Sequence, residues 1–223
     1  MQVHPHCQYK TYIWEFPVRL SHWVNVLSIV VLALTGLFIG SPRSLALNPS
    51  QYIMGWVRLI HFTTAYILTI SMAIRVYWSF VGNRYASYRG FFPALTADGR
   101  SRMKEIFNYY TFRSRKVPEI EGHNPMAATA YFGVFLCYLT MIFTGFALYA
   151  EHAPQGIMHR LLGFMYMLFS NQGMRLTHHI TMWLILSFVI NHIYSAWLMD
   201  IKERDGEISS IFSGSKFITR KEN

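Results

Sequence analysis

An arginine, a leucine, one variable residue and a histidine recur three times, in VRLSHW (18–23), VRLIHF (57–62) and MRLTHH (174–179). Each copy opens a long apolar run, and a fourth histidine, His192, lies deep in the last of these runs. Ionisable side chains inside a membrane-spanning segment are expensive and mark function by default. For one such histidine alone, the plainer reading is a buried imidazole hydrogen-bonded to a neighbour. Four at matched depths call for a common chemistry. Imidazole is the commonest metal ligand among side chains, and two imidazoles facing each other can fill both axial positions of a flat metal ring.

The elements that must position these residues follow from composition. The 223-residue chain is 52% hydrophobic and 14% charged, with mean hydropathy +0.22. Soluble domains carry about a quarter charged residues. About 20 apolar residues span the hydrocarbon as a helix, and four runs suffice: Leu20–Gly40, Trp56–Phe80, Met126–Ala150 and Leu176–Met199. The run IMHRLLGFMYMLFS (157–170) is too short and is expected to lie in the interface. SRMKEIFNYYTFRS (101–114) has the spacing of a surface helix, and the stretch from about 205 to 223 is expected to be a frayed tail. The expected fold is a single all-α membrane domain, 1–223, a bundle of four transmembrane helices.

Of the twenty Lys and Arg, all but Arg43, Arg58, Arg160 and Arg175 fall in the N-terminal segment, the 75–116 stretch or the C-terminal tail. Basic residues gather on the cytoplasmic side of membrane proteins, which places both termini in the cytoplasm. The net charge of +9 thus reports topology and not a nucleic-acid partner; the surrounding partner is the lipid bilayer. The first run reads as an uncleaved helix rather than a signal peptide. Trp14, Trp23, Trp56, Tyr77, Trp78 and Trp197 flank the runs as an interfacial belt would. Cys7 and Cys137 form no C-x-x-C-H, which excludes covalent haem attachment. His4, His6 and Cys7 have ligand residue types but sit in a polar terminus.

Helical geometry sorts the histidines. At about 100° per residue, His178 and His192 lie about 40° apart around one helix and about 21 Å apart along it, whereas His179 is about 140° from His192. With the first helix running outward, depth matching pairs His61 with His178 toward the outside and His22 with His192 toward the cytoplasm. Zinc wants about four converging ligands. Two separated histidine pairs, without Asp or Glu in any of the four runs, suit two stacked, non-covalently held b-type haems, closed to oxygen chemistry and fit for electron transfer.

Arginine three residues before a histidine stands about 60° around and one turn toward water. Arg19, Arg58 and Arg175 can there pair with haem propionates or simply anchor helix ends. Gly36, fourteen residues after His22, lies at the depth of the outer pair, where a missing side chain lets a ring approach, although helix packing uses such glycines too. Arg75, fourteen after His61, is a counter-charge near the inner pair or a boundary anchor.

The stretches EFPVRLSHW, GWVRLIHF, RVYWSFVGNRY, GHNPMAATAYFG, TGFALYAEH, THHITMWL and NHIY occur in the order seen in the cytochrome b subunit of membrane-bound nickel–iron hydrogenases. The chain resembles that family over most of its length. More distantly it is similar to the γ subunit of membrane formate dehydrogenases. The first resemblance implies a subunit that anchors a periplasmic hydrogenase, through its small and large subunits, to the bacterial inner membrane. Electrons would travel from the outer haem to the inner haem and on to menaquinone or ubiquinone. The chain itself would not activate hydrogen.

The family's quinone site is thought to begin the third helix at GHNP (122–125), where His123 and Asn124 can hold a quinone carbonyl. Asn124 also suits a helix cap, with Pro125 at the first helical position. Relatives often carry a glutamine one turn later, where Ala127 and Ala128 stand here. His152 is an outer-surface residue, able to face the small subunit or only water. Two other readings stay open: the equivalent subunit of a formate dehydrogenase or sulfur-compound reductase, and a haem-free histidine-containing transporter or anchor. The missing inverted repeat and the lack of acidic residues in the spans weigh against the latter.

Overall fold

The computed structural model describes residues 8–41, 51–88, 97–111, 113–114, 125–152, 154–203 and 206–219. In chain order these form β1 (Gln8–Tyr12), α1 (Phe16–Gly40), α2 (Ile53–Val81), α3 (Ala97–Tyr110), α4 (Pro125–Ala150), α5 (Ile157–Leu162), α6 (Met165–Leu168), α7 (Asn171–Glu203), α8 (Glu207–Ser213) and β2 (Ser215–Thr219). Four of them, α1, α2, α4 and α7, are long and apolar enough to cross a membrane. Their surfaces agree with a lipid setting. Leu27 and Leu34 are each 66% exposed and Ile190 is 71% exposed, a cost that water would not allow along whole helices and that hydrocarbon removes.

The observed helices exceed the apolar runs at their ends. α7 runs for 33 residues because polar residues at both ends, from Asn171 and Gln172 to Lys202, continue the backbone hydrogen bonding beyond the hydrocarbon-length stretch. Residues 157–170 form the short α5 and α6, neither of spanning length. The surface helix expected at 101–114 is α3, which begins four residues earlier.

The described chain divides into two compact units. In the unit formed by 21–74 and 134–187, the helices meet in sequence order. α1 meets α2 through Asn25 Nδ2, 3.7 Å from Met72 Sδ, and the Ser71 hydroxyl, 3.4 Å from the Ser21 carbonyl. α2 meets α4 through Phe62 against Tyr149 and Tyr66 against Phe146, with ring centroids 4.6 and 4.9 Å apart. Such edge and tilted arrangements match the ring quadrupoles. Tyr166 Oη donates to the Ala147 carbonyl at 2.7 Å, pinning α6 to α4. Burial and the nearby Glu151 carboxylate hold that phenol above its ordinary pKa.

In the other unit, of residues 1–20, 75–133 and 188–223, the described residues of the stretch expected to fray, 206–219, instead form α8 and β2. β2 pairs antiparallel with β1 from Gln8↔Thr219 to Tyr12↔Ser215. Trp14 Nε1 donates to Ser210 Oγ at 3.1 Å, and Arg19 Nη1 donates to the Phe212 carbonyl. Local charge and serine content suggest fraying, but the backbone of SKFIT finds a partner strand some 200 residues away, which a local reading cannot see. Glu15 ties in α2: its Oε2 accepts from Trp78 Nε1 and the Asn83 amide, both at 2.8 Å.

Gly214 makes this clasp possible. Its φ of +83° suits glycine, and an added Cβ would stand 2.5 Å from Tyr12 Cε2 and 2.8 Å from the Trp14 carbonyl oxygen. Its carbonyl accepts from the amides of Ile13 and Trp14. Gly214→Ala is therefore expected to destabilise this unit by about 2 kcal/mol, read as a lower melting temperature in detergent. Gly133→Ala, with nothing within 4 Å of the new Cβ, serves as the control.

Candidate cofactor site

Two histidines within one unit are held in the same way by different helices. The α2 residue His61 places Nδ1 2.8 Å from Thr35 Oγ1 on α1. The α7 residue His178 places Nδ1 2.9 Å from Thr144 Oγ1 on α4. Each threonine hydroxyl also lies 2.6 Å from a carbonyl one turn back in its own helix, Val31 for Thr35 and Thr140 for Thr144.

A glycine follows each threonine, and each lies against the same imidazole. A Cβ on Gly36 would stand 3.4 Å from His61 Cε1, and one on Gly145 would stand 3.0 Å from His178 Cε1. Both rings are half-buried.

The neighbouring His179 is placed differently. It is exposed, and its Cε1 lies 3.3 Å from where a Cβ on Gly40 of α1 would stand. Successive helix positions are about 100° apart, so His178 turns toward α4 while His179 turns toward α1.

His22, on α1, is half-buried with its ring edge-on to Trp23, centroids 5.3 Å apart. His192 falls in the other unit. Its ring stacks on Phe188 one turn earlier, 5.6 Å between centroids and 8° between planes, and meets Tyr131 of α4 at 6.2 Å.

The arginines have varied surroundings. Arg19 has its Nε buried without a hydrogen-bond partner while Nη1 serves the Phe212 carbonyl. That Nε is a buried donor suited to an anion. Arg75 Nη1 lies 3.3 Å from the Ala86 carbonyl. Arg175 donates Nε to Asn171 Oδ1 at 2.6 Å and pairs with Glu151 at 3.3 Å, tying the start of α7 to the end of α4. Arg58 is exposed, and so is His152, whose ring centroid lies 6.3 Å from that of Phe62. His123, Asn124, His4, His6 and Cys7 lie outside the described residues; α4 does begin at Pro125.

The sequence reading passed over Thr35, Thr144 and Gly145. A signal existed: Thr-Gly occurs only twice in the chain, at 35–36 and 144–145, each time inside a span. Among the described residues no three His, Cys, Asp or Glu cluster as a metal site. Imidazoles on separate helices, each with Nδ1 at hydrogen-bond distance from a threonine and Nε2 uncommitted to it, have the donor chemistry that an axially ligated haem uses.

Four apolar spans with histidines held in this manner define the class, a multi-pass membrane cytochrome of the b type. The chain belongs to the prokaryotic cytochrome b561 family, whose model matches residues 13–214, and haem b is the cofactor of that class. It is 41% identical over 211 residues to the probable Ni/Fe-hydrogenase B-type cytochrome subunit of Cupriavidus necator, covering 92% of this chain and 86% of that protein. It is 38% identical to the probable subunit of the same description from Rhizobium leguminosarum bv. viciae, over 96% of this chain and 92% of that one. The probable Ni/Fe-hydrogenase 1 B-type cytochrome subunit of Escherichia coli K12 is also 38% identical, over 91% and 89% of the two chains.

Proposed function

We propose that this chain is the membrane-anchoring, di-haem b subunit of a nickel–iron hydrogenase, carrying electrons from the periplasmic enzyme to the quinone pool of the inner membrane. The observation that carries the reading is the matched setting of His61 and His178, each fixed by a threonine and faced by a glycine within one unit. The names of the relatives favour a hydrogenase over a formate dehydrogenase as the partner.

In this reading His61 and His178 hold the outer haem, and His22 and His192 hold the inner one, as the fourteen-residue period of α7 supports. When bound, haem b with two axial imidazoles supplies one-electron exchange without an open coordination site. The chain's residues do the rest. The threonines orient the outer imidazoles, while Phe188, stacked on His192, limits rotation of that ring. Arg19, with its unpartnered buried Nε, binds a propionate, and Arg58, Arg75 and Arg175 are the remaining candidates. Gly36 keeps a side chain away from the outer site. His123 and Asn124, just before α4, bind a quinone carbonyl, and the imidazole, which titrates near neutrality, exchanges its proton. The basic residues set both termini in the cytoplasm.

The test is the haem content of the chain purified in mild detergent, by pyridine haemochrome spectroscopy, followed by hydrogen-dependent quinone reduction in the isolated complex. Two haem b per chain and hydrogen-dependent reduction are expected. One haem would remove a histidine pair from the proposal, and a colourless folded chain would overturn it.

A further inference from the structure

We infer that Thr35 and Thr144 are positioning residues that fix His61 and His178 in the Nδ1–H form, present both Nε2 atoms to the outer haem iron, and lower its reduction potential. The inference rests on the reading of His61 and His178 as axial ligands.

A threonine hydroxyl has a single hydrogen. In both residues that hydrogen has an acceptor 2.6 Å away in the carbonyl one turn back, Val31 or Thr140. What the hydroxyl then offers the imidazole is a lone pair. With that hydrogen on the carbonyl, Nδ1 of His61 and of His178, at 2.8 and 2.9 Å, is the donor to the hydroxyl. A neutral imidazole with its hydrogen on Nδ1 carries its lone pair on Nε2, the atom left to bind iron. The opposite arrangement, with the hydroxyl turned toward Nδ1, would put the hydrogen on Nε2 and abolish ligation at both histidines together.

The same construction on two different helix pairs argues against chance. In both, glycine follows threonine; a Cβ would press on Cε1 at 3.0 Å at Gly145 and would just reach ordinary contact, 3.4 Å, at Gly36. The dipeptide is thus one device: the hydroxyl sets the tautomer and the bare backbone admits the ring to hydrogen-bonding distance. Donation from Nδ1–H also makes the imidazole more basic. A more basic ligand stabilises the ferric over the ferrous state, so two such bonds on one iron act in the same direction on its potential.

The experiment uses the full chain in its hydrogenase complex, with Thr35→Val, Thr144→Val and the double variant, which keep shape and delete the hydroxyl. Haem content and an optical redox titration are the readouts. Unchanged haem content is expected, with one of two midpoint potentials shifted upward, further in the double variant, and Thr35→Ser and Thr144→Ser restoring the parental value. Parental potentials in all the valine variants would overturn the inference. If valine variants lose haem, the serine variants decide: haem regained at the parental potential supports the hydroxyl role, and loss in serine as well overturns it. His61→Ala and His178→Ala control the underlying reading; retention of both haems there would sink the ligand assignment itself, whatever the threonines do.

Discussion

On the proposed ligand assignment, replacing His178 by alanine is expected to remove one of the two proposed haems from the chain, whereas replacing His179 leaves the haem content unchanged. The two residues are chemically identical neighbours near the start of α7, so only their direction separates them. His178 Nδ1 is held at 2.9 Å by Thr144, and Gly145 makes room for its ring. His179 is exposed and turned toward Gly40. A b-type haem is held without covalent bonds, so one that lost an axial imidazole would keep only the other imidazole and its packing, with no water at hand in a hydrocarbon setting to fill the open position. The haem-to-protein ratio should fall from about two to about one for His178→Ala, with a matching loss for His61→Ala. Loss of haem in His179→Ala with retention in His178→Ala would reverse the assignment.

An effect of similar size is expected from Gly145→Val, although no ligand is touched. A Cβ at this position already stands 3.0 Å from His178 Cε1, tighter than ordinary van der Waals contact, and the two methyl groups of valine extend the clash. The crowded atom belongs to a ring anchored by its own hydrogen bond, so relief requires breaking the bond to Thr144 and rotating Nε2 away. Overpacking of this kind costs about 1–3 kcal/mol in general; here it acts on one ring and should appear mainly as lost haem. Gly36→Ala provides the comparison, since its Cβ would meet His61 Cε1 at 3.4 Å, close to an ordinary contact. It should keep two haems with modest spectral change. Gly145→Val that binds both haems with parental potentials would show that the ring has another place to go.

The tail shows the limit of local reading most clearly. Residues 207–219 are serine-rich and short of any long apolar pattern; yet α8 and β2 close onto β1, Trp14 and Arg19. A strand edge is satisfied by another strand, and that partner lies at the opposite end of the chain.

The sequence by itself determined the four spans, because hydrocarbon thickness imposes a minimum run of apolar residues that can be counted. It also determined which histidines share a face, because the helical period is rigid enough to carry an angle over fourteen residues. Tertiary structure alone decided what each imidazole touches. Thr35 and Thr144 are small, common residues whose role exists only when another helix brings a ring within 3 Å, and neither helix contains the information about its neighbour's rotation. Gly36 was legible through its depth in the membrane, while Gly145 was not, since no histidine of its own helix lies one period away to mark it. Residue spacing is a property of one helix; the direction of a hydrogen bond between helices belongs to the packing.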